Sequence, residues 1–225
     1  MDLRRLWATQ HERKPHWVRD YQDSWNAPHR RLLVDHLRLL GGLESILELG
    51  CNSGPNLIAI SRAFSPPPRL HGIDINPRAV DEAQKFFAQQ GWTHASVKRD
   101  VLPDALRSMP DRSWDCVIAV AVFMHLPSVE FEETLRQACR VARRHLVFMD
   151  LHLFHPLPGG RAGSPGRRLK DRWARNWWEG FSSTPEWQMQ VSELPPGINR
   201  AGAGDINALA VGRRIDSGEA KEGAG

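Results

Sequence analysis

One short stretch of the sequence constrains the fold more than any other. An apolar run at residues 46–49 is typical of a buried strand, and a glycine-containing turn at residues 50–54 follows it. Beyond the turn, apolar residues recur at helical spacing, and Pro55 suits the first position of a helix because that position needs no backbone N–H. The stretch therefore predicts a strand, a tight turn and a helix whose N-terminal N–H groups face a ligand.

Strands and helices alternate along most of the chain. Further strands are predicted at residues 70–75, 95–98, 115–122 and 145–151. Helices are predicted at residues 28–40, 77–90 and 130–143. This alternation is typical of an α/β fold with a doubly wound, mostly parallel, seven-stranded Rossmann-like sheet. The last two strands, which are expected to form a C-terminal antiparallel hairpin, are predicted at residues 187–194 and 206–214.

We expect a single domain over residues 1–215. Residues 1–44 begin with a polar segment containing scattered aromatic side chains and are predicted to form an N-terminal helical lid. Residues 155–183 interrupt the pattern with an inserted loop, rich in proline and glycine, followed by a helix at residues 169–181. Residues 216–225 are predicted to be a disordered tail.

Composition narrows the class of protein. The 225 residues are 41% hydrophobic and 25% charged, which is typical of a globular chain. The net charge of +4 permits an anionic partner and does not require one. Cys51, Cys116 and Cys139 lack paired spacing, which favours buried thiols in a reducing compartment over disulfides or a metal site. No signal peptide or membrane-spanning run is visible, so we expect a cytoplasmic protein.

The glycine turn distinguishes between two kinds of nucleotide-binding protein. The dinucleotide pattern is Gly-x-Gly-x-x-Gly, but Asn52 and Pro55 stand where its second and third glycines belong. The stretch instead resembles the acidic-x-Gly-x-Gly-x-Gly signature of the class I S-adenosylmethionine-dependent methyltransferases. Glu48, Gly50 and Gly54 occupy the acidic, first and third glycine positions of that signature. Asparagine tolerates positive φ better than other non-glycine residues, so Asn52 is expected to preserve the turn.

Acidic residues also follow the next two predicted strands. Asp74 ends the second strand and Asp100 follows the third, and ligands of such sheets bind outside the carboxyl ends of the strands. A carboxylate at Asp74 can accept hydrogen bonds from ribose hydroxyls, and one at Asp100 can accept from an adenine amino group. The resemblance, which covers residues 28–151, implies that the turn passes the methionine part of the cofactor. It also implies that Asp74 holds the ribose and that Asp100 with Val101 reads the adenine.

The resemblance implies S-adenosylmethionine as the cofactor, and we predict no metal site. Trp17, Tyr21 and Trp25, with His29 and Arg30 at the start of the following helix, are candidates for a lid over the cofactor. The predicted cofactor-binding residues are Glu48, Gly50, Cys51, Asn52, Gly54, Asn56, Asp74, Ile75, Asp100, Val101, Ala119, Trp25 and Arg30.

Two histidines are candidates for the general base that an oxygen or nitrogen nucleophile can need. His125 follows the fourth predicted strand, in a segment that resembles the corresponding segment of many small-molecule methyltransferases, where the histidine is often structural. His152 lies at the end of the fifth strand, near Asp150 and His155, on the side where the acceptor is expected. The alternative role for His152 is that of a histidine packed in the core. The fourth strand is not followed by Asn/Asp-Pro-Pro-Tyr/Phe, which disfavours methylation of an adenine or glutamine amine.

We predict methyl transfer to an oxygen or nitrogen of a small-molecule acceptor. Trp173 and Trp177 would wall an apolar acceptor pocket from one helical face, or else pack that helix on the body. An RNA acceptor (tRNA or rRNA) is the alternative, through the basic residues Arg161, Arg167, Arg168, Lys170, Arg172 and Arg175. Two further alternatives are a methyltransferase-like protein that binds the cofactor without catalysis and a nicotinamide oxidoreductase.

Overall fold

A single sheet forms the centre of the described chain. The computed structural model describes residues 3–13, 16–154, 167–169, 172–195, 198 and 206–215; the predicted tail and most of the predicted inserted loop, with His155, lie outside them. The strands within these residues are β1 (Ser45–Leu49), β2 (Arg69–Asp74), β3 (Ala95–Arg99), β4 (Trp114–Val120), β5 (Ala142–Asp150), β6 (Arg167–Leu169), β7 (Arg172–Ala174), β8 (Trp187–Glu193) and β9 (Ala208–Arg214). Seven of them form one sheet in the order β3-β2-β1-β4-β5-β9-β8, and β6 and β7 form a separate pair.

The pairing directions match the predicted topology. Strand β1 is parallel to β2 and β4, β2 is parallel to β3, and β4 is parallel to β5. Strand β9 runs antiparallel to both β5 and β8, so the last two strands complete the sheet as a hairpin. The predicted doubly wound, mostly parallel α/β fold with a C-terminal antiparallel hairpin is therefore confirmed. The carboxyl ends of β1 to β5 lie along one edge of this sheet.

Helices cover both faces of the sheet. The helices in the described residues are α1 (Leu3–Ala8), α2 (Gln10–Arg13), α3 (Trp17–Asp23), α4 (Pro28–Leu40), α5 (Pro55–Ala63), α6 (Pro77–Gln89), α7 (Asp104–Arg107), α8 (Ser128–Val141) and α9 (Trp177–Phe181). Helices α4, α5 and α6 each begin with proline, where a missing N–H costs no hydrogen bond. None of the helices described is long and apolar enough to cross a bilayer.

Two apolar clusters hold the helices against the sheet. One cluster joins α4 and α5 to one face and includes Leu33, Leu37 and Ile58. The other joins α8 and α9 to the opposite face and includes Phe131 and Trp177. All residues of β4 are buried between the clusters, as expected for the sheet centre. Burial of each large apolar side chain contributes about 1.5–3 kcal/mol to the free energy of unfolding, so the clusters hold the helices against the sheet.

The cysteines are buried free thiols, as predicted. Burial raises the pKa of Cys139 to about 12 and raises the pKa of Cys51 as well, so both thiols stay protonated at neutral pH. In the part of the chain that the structure describes, no group of three or more His, Cys, Asp or Glu side chains is arranged to hold a metal ion.

The segment after β5 differs from the prediction. The predicted helix at residues 169–181 is wrong, because β6 and β7 form a short antiparallel pair there and α9 begins only at Trp177. Trp173 lies in β7, so it does not share a helical face with Trp177. Trp177 is buried against Phe123 and Phe148, with ring centroids 5.1 and 5.6 Å away. Tryptophan is common in strands as well as in buried helices, so spacing alone could not separate the two structures.

Candidate active site

The turn after β1 has the backbone shape that the sequence predicts. Gly50, Asn52 and Gly54 all have positive φ, at 66°, 51° and 76°. Asn52 therefore adopts the conformation of the glycine that it replaces. A Cβ atom at Gly50 would lie 2.5 Å from Cγ2 of Val122. The ends of β1 and β4 can approach this closely only because residue 50 is glycine.

The carboxylate of Asp74 is tied to this turn. Its Oδ2 accepts a hydrogen bond from Asn52 N–H (N to O 2.7 Å), and its Oδ1 accepts one from Asn76 N–H (2.8 Å). Burial raises the pKa of Asp74, and these backbone N–H groups oppose the rise because they stabilise the carboxylate. Ile75 N–H also acts on this carboxylate. A carboxylate has about four lone-pair sites, so these backbone donors do not fill all of them and a ligand hydroxyl can still donate to the side chain.

Asp100 lies at the end of the neighbouring strand β3. Its N–H donates to Asp74 C=O (3.0 Å), which brings the ends of β2 and β3 together. Its carboxylate accepts from Lys98 Nζ (2.7 Å) and from Val101 N–H (2.9 Å), and the hydrogen bond from Lys98 lowers the pKa of Asp100. The side chain is therefore an ionised hydrogen-bond acceptor at neutral pH. Ile75 and Val101, which follow the two aspartates, are half-buried.

A buried chain of polar side chains runs next to the turn. Asn56 Nδ2 donates to Glu48 Oε1 (2.6 Å), and Arg30 Nη1 donates to Asn56 Oδ1 (2.8 Å). Arg30 also donates to the backbone oxygen and the hydroxyl of Ser24 (3.0 and 2.9 Å). Burial raises the pKa of Glu48 to about 8, and its Oε2 has no hydrogen-bond partner among the described residues. Such a buried oxygen is costly unless a ligand or a water molecule completes it.

Two further residues, Ala119 and Trp25, are predicted to bind the cofactor, and they lie in different parts of the structure. Ala119 pairs with Leu49 in the sheet, level with the start of the glycine turn. Trp25 instead packs on the guanidinium of Arg62, 4.1 Å from the ring centroid, in the last turn of α5. Arg62 lies eight residues beyond Gly54, which is about 12 Å along a helix. The ring of Trp25 therefore has its contact near the C-terminal end of α5, and its role in cofactor binding stays a prediction.

Helix α3 lies against the glycine turn. Gln22 Nε2 donates to Ser53 C=O (3.0 Å), and Ser53 Oγ donates to Val18 C=O (2.9 Å). Trp17 and Tyr21 of the same helix are in ring contact, with centroids 6.0 Å apart. Both aromatic residues therefore belong to a helix that is bonded to the turn, where a cover over the cofactor is expected.

Trp7 in α1 is a site residue that the sequence analysis missed. Its C=O accepts a hydrogen bond from Asn76 Nδ2 (2.8 Å), and its ring centroid lies 4.5 Å from that of His125. Arg4 of the same helix pairs with Glu130 in the first turn of α8 (3.0 Å). Helix α1 therefore crosses from the end of β2 to α8, over the end of β4. The helix is too short for a hydrophobic period, so nothing in the sequence distinguishes Trp7 from the other tryptophans.

His125 ends a short 3₁₀ turn, Phe123–His125, that follows β4. The carboxylate of Asp150, at the end of β5, accepts hydrogen bonds from the N–H groups of Val122, Phe123 and Met124 (2.9, 2.8 and 3.1 Å). Asp150 is buried, and burial raises its pKa to about 7. Asp150 therefore orients the loop that carries His125, with its oxygens occupied by backbone N–H groups.

His152 is a buried histidine among aromatic rings. Its Nδ1 accepts a hydrogen bond from Trp177 N–H (3.2 Å), so the proton of the neutral ring is on Nε2. The ring centroids of Phe154 and Trp178 lie 4.5 Å from its own. Burial lowers the pKa of His152 to about 4. Its accepting nitrogen is already occupied, so this arrangement favours the packed-histidine alternative over a general base.

Comparison with known proteins identifies the domain. Residues 46–145 match the family described as "Methyltransferase domain". These residues form a class I methyltransferase domain. The match confirms the predicted family, whose cofactor is S-adenosylmethionine.

One curated protein is similar to this chain in sequence, and solved structures are similar to it in fold. A curated relative, the aklanonic acid methyltransferase DauC of Streptomyces sp. (strain C5), is 31% identical over 127 residues, or 54% of this chain. The match covers 56% of that relative, so this chain spans about half of the relative's length. Among solved structures, the magnesium protoporphyrin IX methyltransferase ChlM of Synechocystis PCC 6803, with bound S-adenosylmethionine, is 16% identical. Its TM-score is 0.57, and the match covers 87% of this chain and 80% of ChlM.

A second solved structure agrees in fold. The geranyl diphosphate C-methyltransferase of Streptomyces coelicolor A3(2) is 12% identical, with a TM-score of 0.60 over 83% of this chain and 80% of that one. At such low identity a structural match shows a shared fold, and the residues of the site must be argued from their own contacts.

Two buried histidines make the stability of the protein sensitive to acid. Burial lowers the pKa of His29 to about 4, as it does for His152, from the usual 6.5. Between pH 6.5 and pH 4 the unfolded chain therefore binds more protons at these sites, and the free energy of unfolding falls as the pH falls. The raised pKa values of Glu48 and Asp150 act in the opposite direction. A comparison of a histidine variant with the parent isolates the contribution of that histidine to the free energy of unfolding.

We expect His29→Leu to lose less stability in acid than the parent. The imidazole of His29 is fully buried, and both of its nitrogens lack hydrogen-bond partners among the described residues. Between pH 7 and pH 5 the free energy of unfolding of His29→Leu should fall by about 1–2 kcal/mol less than that of the parent, as measured by urea unfolding. His36→Leu, at a half-buried position of the same helix, should follow the parent. Parallel curves for His29→Leu and the parent would contradict this account.

Proposed function

We propose that this chain transfers the methyl group of S-adenosylmethionine to an oxygen or nitrogen of a small molecule. The observation that carries the proposal is the connection between three strand ends at Asp74. Its carboxylate accepts from Asn52 N–H of the glycine turn, and its C=O accepts from Asp100 N–H. Asp74, which we assign to the ribose, therefore stands between the turn and Asp100, which we assign to the adenine. This is the order of methionine, ribose and adenine in the cofactor.

The residues present suit this cofactor. Asp74 would accept hydrogen bonds from the ribose hydroxyls, and Asp100 would accept from the adenine amino group. Glu48 Oε2 is buried and has no partner among the described residues, and it would accept from the ammonium of the methionine part, whose positive charge favours the ionised form of this carboxyl. Glycine at residue 50 allows Val122, just after β4, to pack against the turn, so the ends of β1 and β4 would together border the bound cofactor.

The chain itself orients the reactants and excludes water. When bound, S-adenosylmethionine supplies a methyl group activated by its sulfonium, so the protein mainly provides alignment and a dry cleft. Helix α3 is bonded to the glycine turn, and Trp7 of α1 packs on His125 at the end of β4, so both helices would cover a cofactor bound there. Where the nucleophile must lose a proton, we assign its removal to His125. We do not assign it to His152, whose Nδ1 already accepts from Trp177 N–H.

Three observations favour a small acceptor over RNA. The curated relative is named for aklanonic acid, a small molecule. Helix α1 lies over the end of β4 and is tied to α8 by the ion pair of Arg4 with Glu130, so it would restrict the approach of a large acceptor. Arg175, part of the basic run, is fully buried and donates to Leu126 C=O and Ser128 Oγ, so it is not available to a phosphate.

Calorimetric titration with S-adenosylhomocysteine tests the cofactor site. We expect micromolar binding to the parent and no binding of NADH. In Asp74→Ala the binding free energy should weaken by about 1.5–3 kcal/mol, the range for hydrogen bonds to a charged group. Asp81→Ala removes an exposed carboxylate on α6 and should bind like the parent. Asp74→Asn keeps the size of the side chain and one of its two acceptor oxygens, so it retains one of the hydrogen bonds from Asn52 and Asn76 and should also bind more weakly.

Two outcomes of this titration would overturn the cofactor assignment. One is NADH binding to the parent, which would restore the oxidoreductase alternative. The other is unchanged affinity for S-adenosylhomocysteine in Asp74→Ala and Asp74→Asn, which would remove Asp74 from the ribose site.

Methyl transfer is tested with S-adenosylmethionine labelled on its methyl group. The chain is incubated with a panel of small aromatic acids, phenols and amines, and separately with total tRNA. We expect label in a small product, and a rate about 10²-fold lower in His125→Ala with affinity for S-adenosylhomocysteine nearly unchanged. Label in tRNA alone would support the RNA alternative. Cofactor binding without transfer to any acceptor would support the non-catalytic one.

A further inference from the structure

We propose that Arg175 is a positioning residue for the loop that carries His125, and that it couples this loop to the segment after β5. The loop comprises residues 121–128 and is held at its two ends by buried side chains of opposite charge. The proposal rests on the proposed function only in placing His125 beside the reacting groups.

The first end of the loop is held by Asp150. Ala121 has a positive φ of 57°, and its N–H donates to Met149 C=O (2.8 Å). The backbone then turns so that three successive N–H groups converge on the Asp150 carboxylate. A buried carboxylate with this many charge-assisted hydrogen bonds holds the start of the loop in one conformation.

The second end of the loop is held by Arg175. Its Nη2 donates to Leu126 C=O, and its Nη1 donates to Ser128 Oγ (3.2 Å). The guanidinium lies 4.5 Å from the ring centroid of Phe131 and 4.9 Å from that of Trp173. A planar guanidinium can serve two acceptors and two ring faces at once, whereas the compact ammonium of a lysine cannot.

The charge of Arg175 is retained in this buried position. The side chain is fully buried, and burial lowers its pKa to about 10, while nearby Asp150 and Glu132 oppose that change. Arg175 is therefore protonated at neutral pH. Replacing it with a neutral side chain leaves Leu126 C=O without this donor and Asp150 without a neighbouring positive charge, and both losses act on the loop.

The backbone of Arg175 joins the loop to the segment after β5, by which we mean residues 151–154 and 172–176. Arg175 N–H donates to Leu151 C=O (3.3 Å), and Leu153 N–H donates to Arg175 C=O (2.9 Å). Strand β7 ends immediately before Arg175, and α9 begins two residues after it. A displacement of this segment, which lies on the proposed acceptor side, therefore moves the guanidinium and with it Leu126, next to His125.

Arg214 provides a matched control. Its Nη2 also donates to backbone oxygens, those of Cys139 and Ala142, and its guanidinium lies 4.5 Å from the ring centroid of Trp187. Arg214 ends β9 at the opposite edge of the sheet from His125. Arg214 is half-buried, and its loss should cost stability without reaching the His125 loop.

The experiment compares Arg175→Met, Arg175→Lys and Arg214→Met by hydrogen exchange and by NMR of ¹⁵N-labelled histidine, without added ligand. In Arg175→Met we expect exchange of the amides at 122–126 to accelerate by about tenfold or more over the parent, because their local opening becomes easier. We also expect the His125 ring signals to shift. Arg175→Lys should restore part of both effects and provides a second variant if Arg175→Met does not fold. Arg214→Met should leave the amides at 122–126 and the His125 signals unchanged.

Two results would overturn the proposal. One is exchange at 122–126 in both Arg175 variants that stays at the parent rate, or that rises only with the rest of the chain as in Arg214→Met. The other is unshifted His125 signals in both Arg175 variants. These readouts need no cofactor, so a failure of the proposed methyl transfer leaves this result interpretable on its own.

Discussion

The hydrogen bond from Asn52 N–H to the Asp74 carboxylate is the contact on which the proposed site depends. It exists because Asn52 adopts positive φ and so turns its N–H towards the end of the neighbouring strand β2. A hydrogen bond to a charged group contributes about 1.5–3 kcal/mol, which is enough to hold a turn of a few residues in one conformation. The same carboxylate is then fixed against the glycine turn before any ligand arrives, so binding does not have to order it.

Other buried polar groups fix the conformation of the remaining segments at the carboxyl ends of the strands in a similar way. Glu48 is reached from helix α4 through Asn56 and Arg30, and Asp150 and Arg175 hold the two ends of the loop that bears His125. Each of these groups would be costly in an apolar core, and each is offset by hydrogen bonds from a different element. The helices, the strand ends and the loop are thereby connected through a small number of directional contacts. This is what a site that aligns two reactants requires.

Sequence patterns predicted the parts of this arrangement that depend on local chemistry. The positive φ of Asn52, the proline starts of the helices and the carboxylates at the ends of β2 and β3 all follow from residue type and position. The patterns could not predict contacts between distant segments. Trp25 stacks on Arg62, Trp7 reaches His125, and the tryptophans after β5 divide between a strand and a helix. In each case the contact of the tryptophan is decided by tertiary packing, because the local sequence spacing is equally compatible with several contacts.

A crystal structure of the protein with S-adenosylhomocysteine would test the central claim most directly. The account predicts both ribose hydroxyls within hydrogen-bond distance of the Asp74 carboxylate, the adenine amino group at Asp100, and the sulfur in the cleft below Trp7 on the side of His125. The contradicting result is a ligand bound elsewhere, or a ribose without contact to Asp74 while that carboxylate still bonds to Asn52 and Asn76. The connected strand ends would then be only a structural feature of the fold.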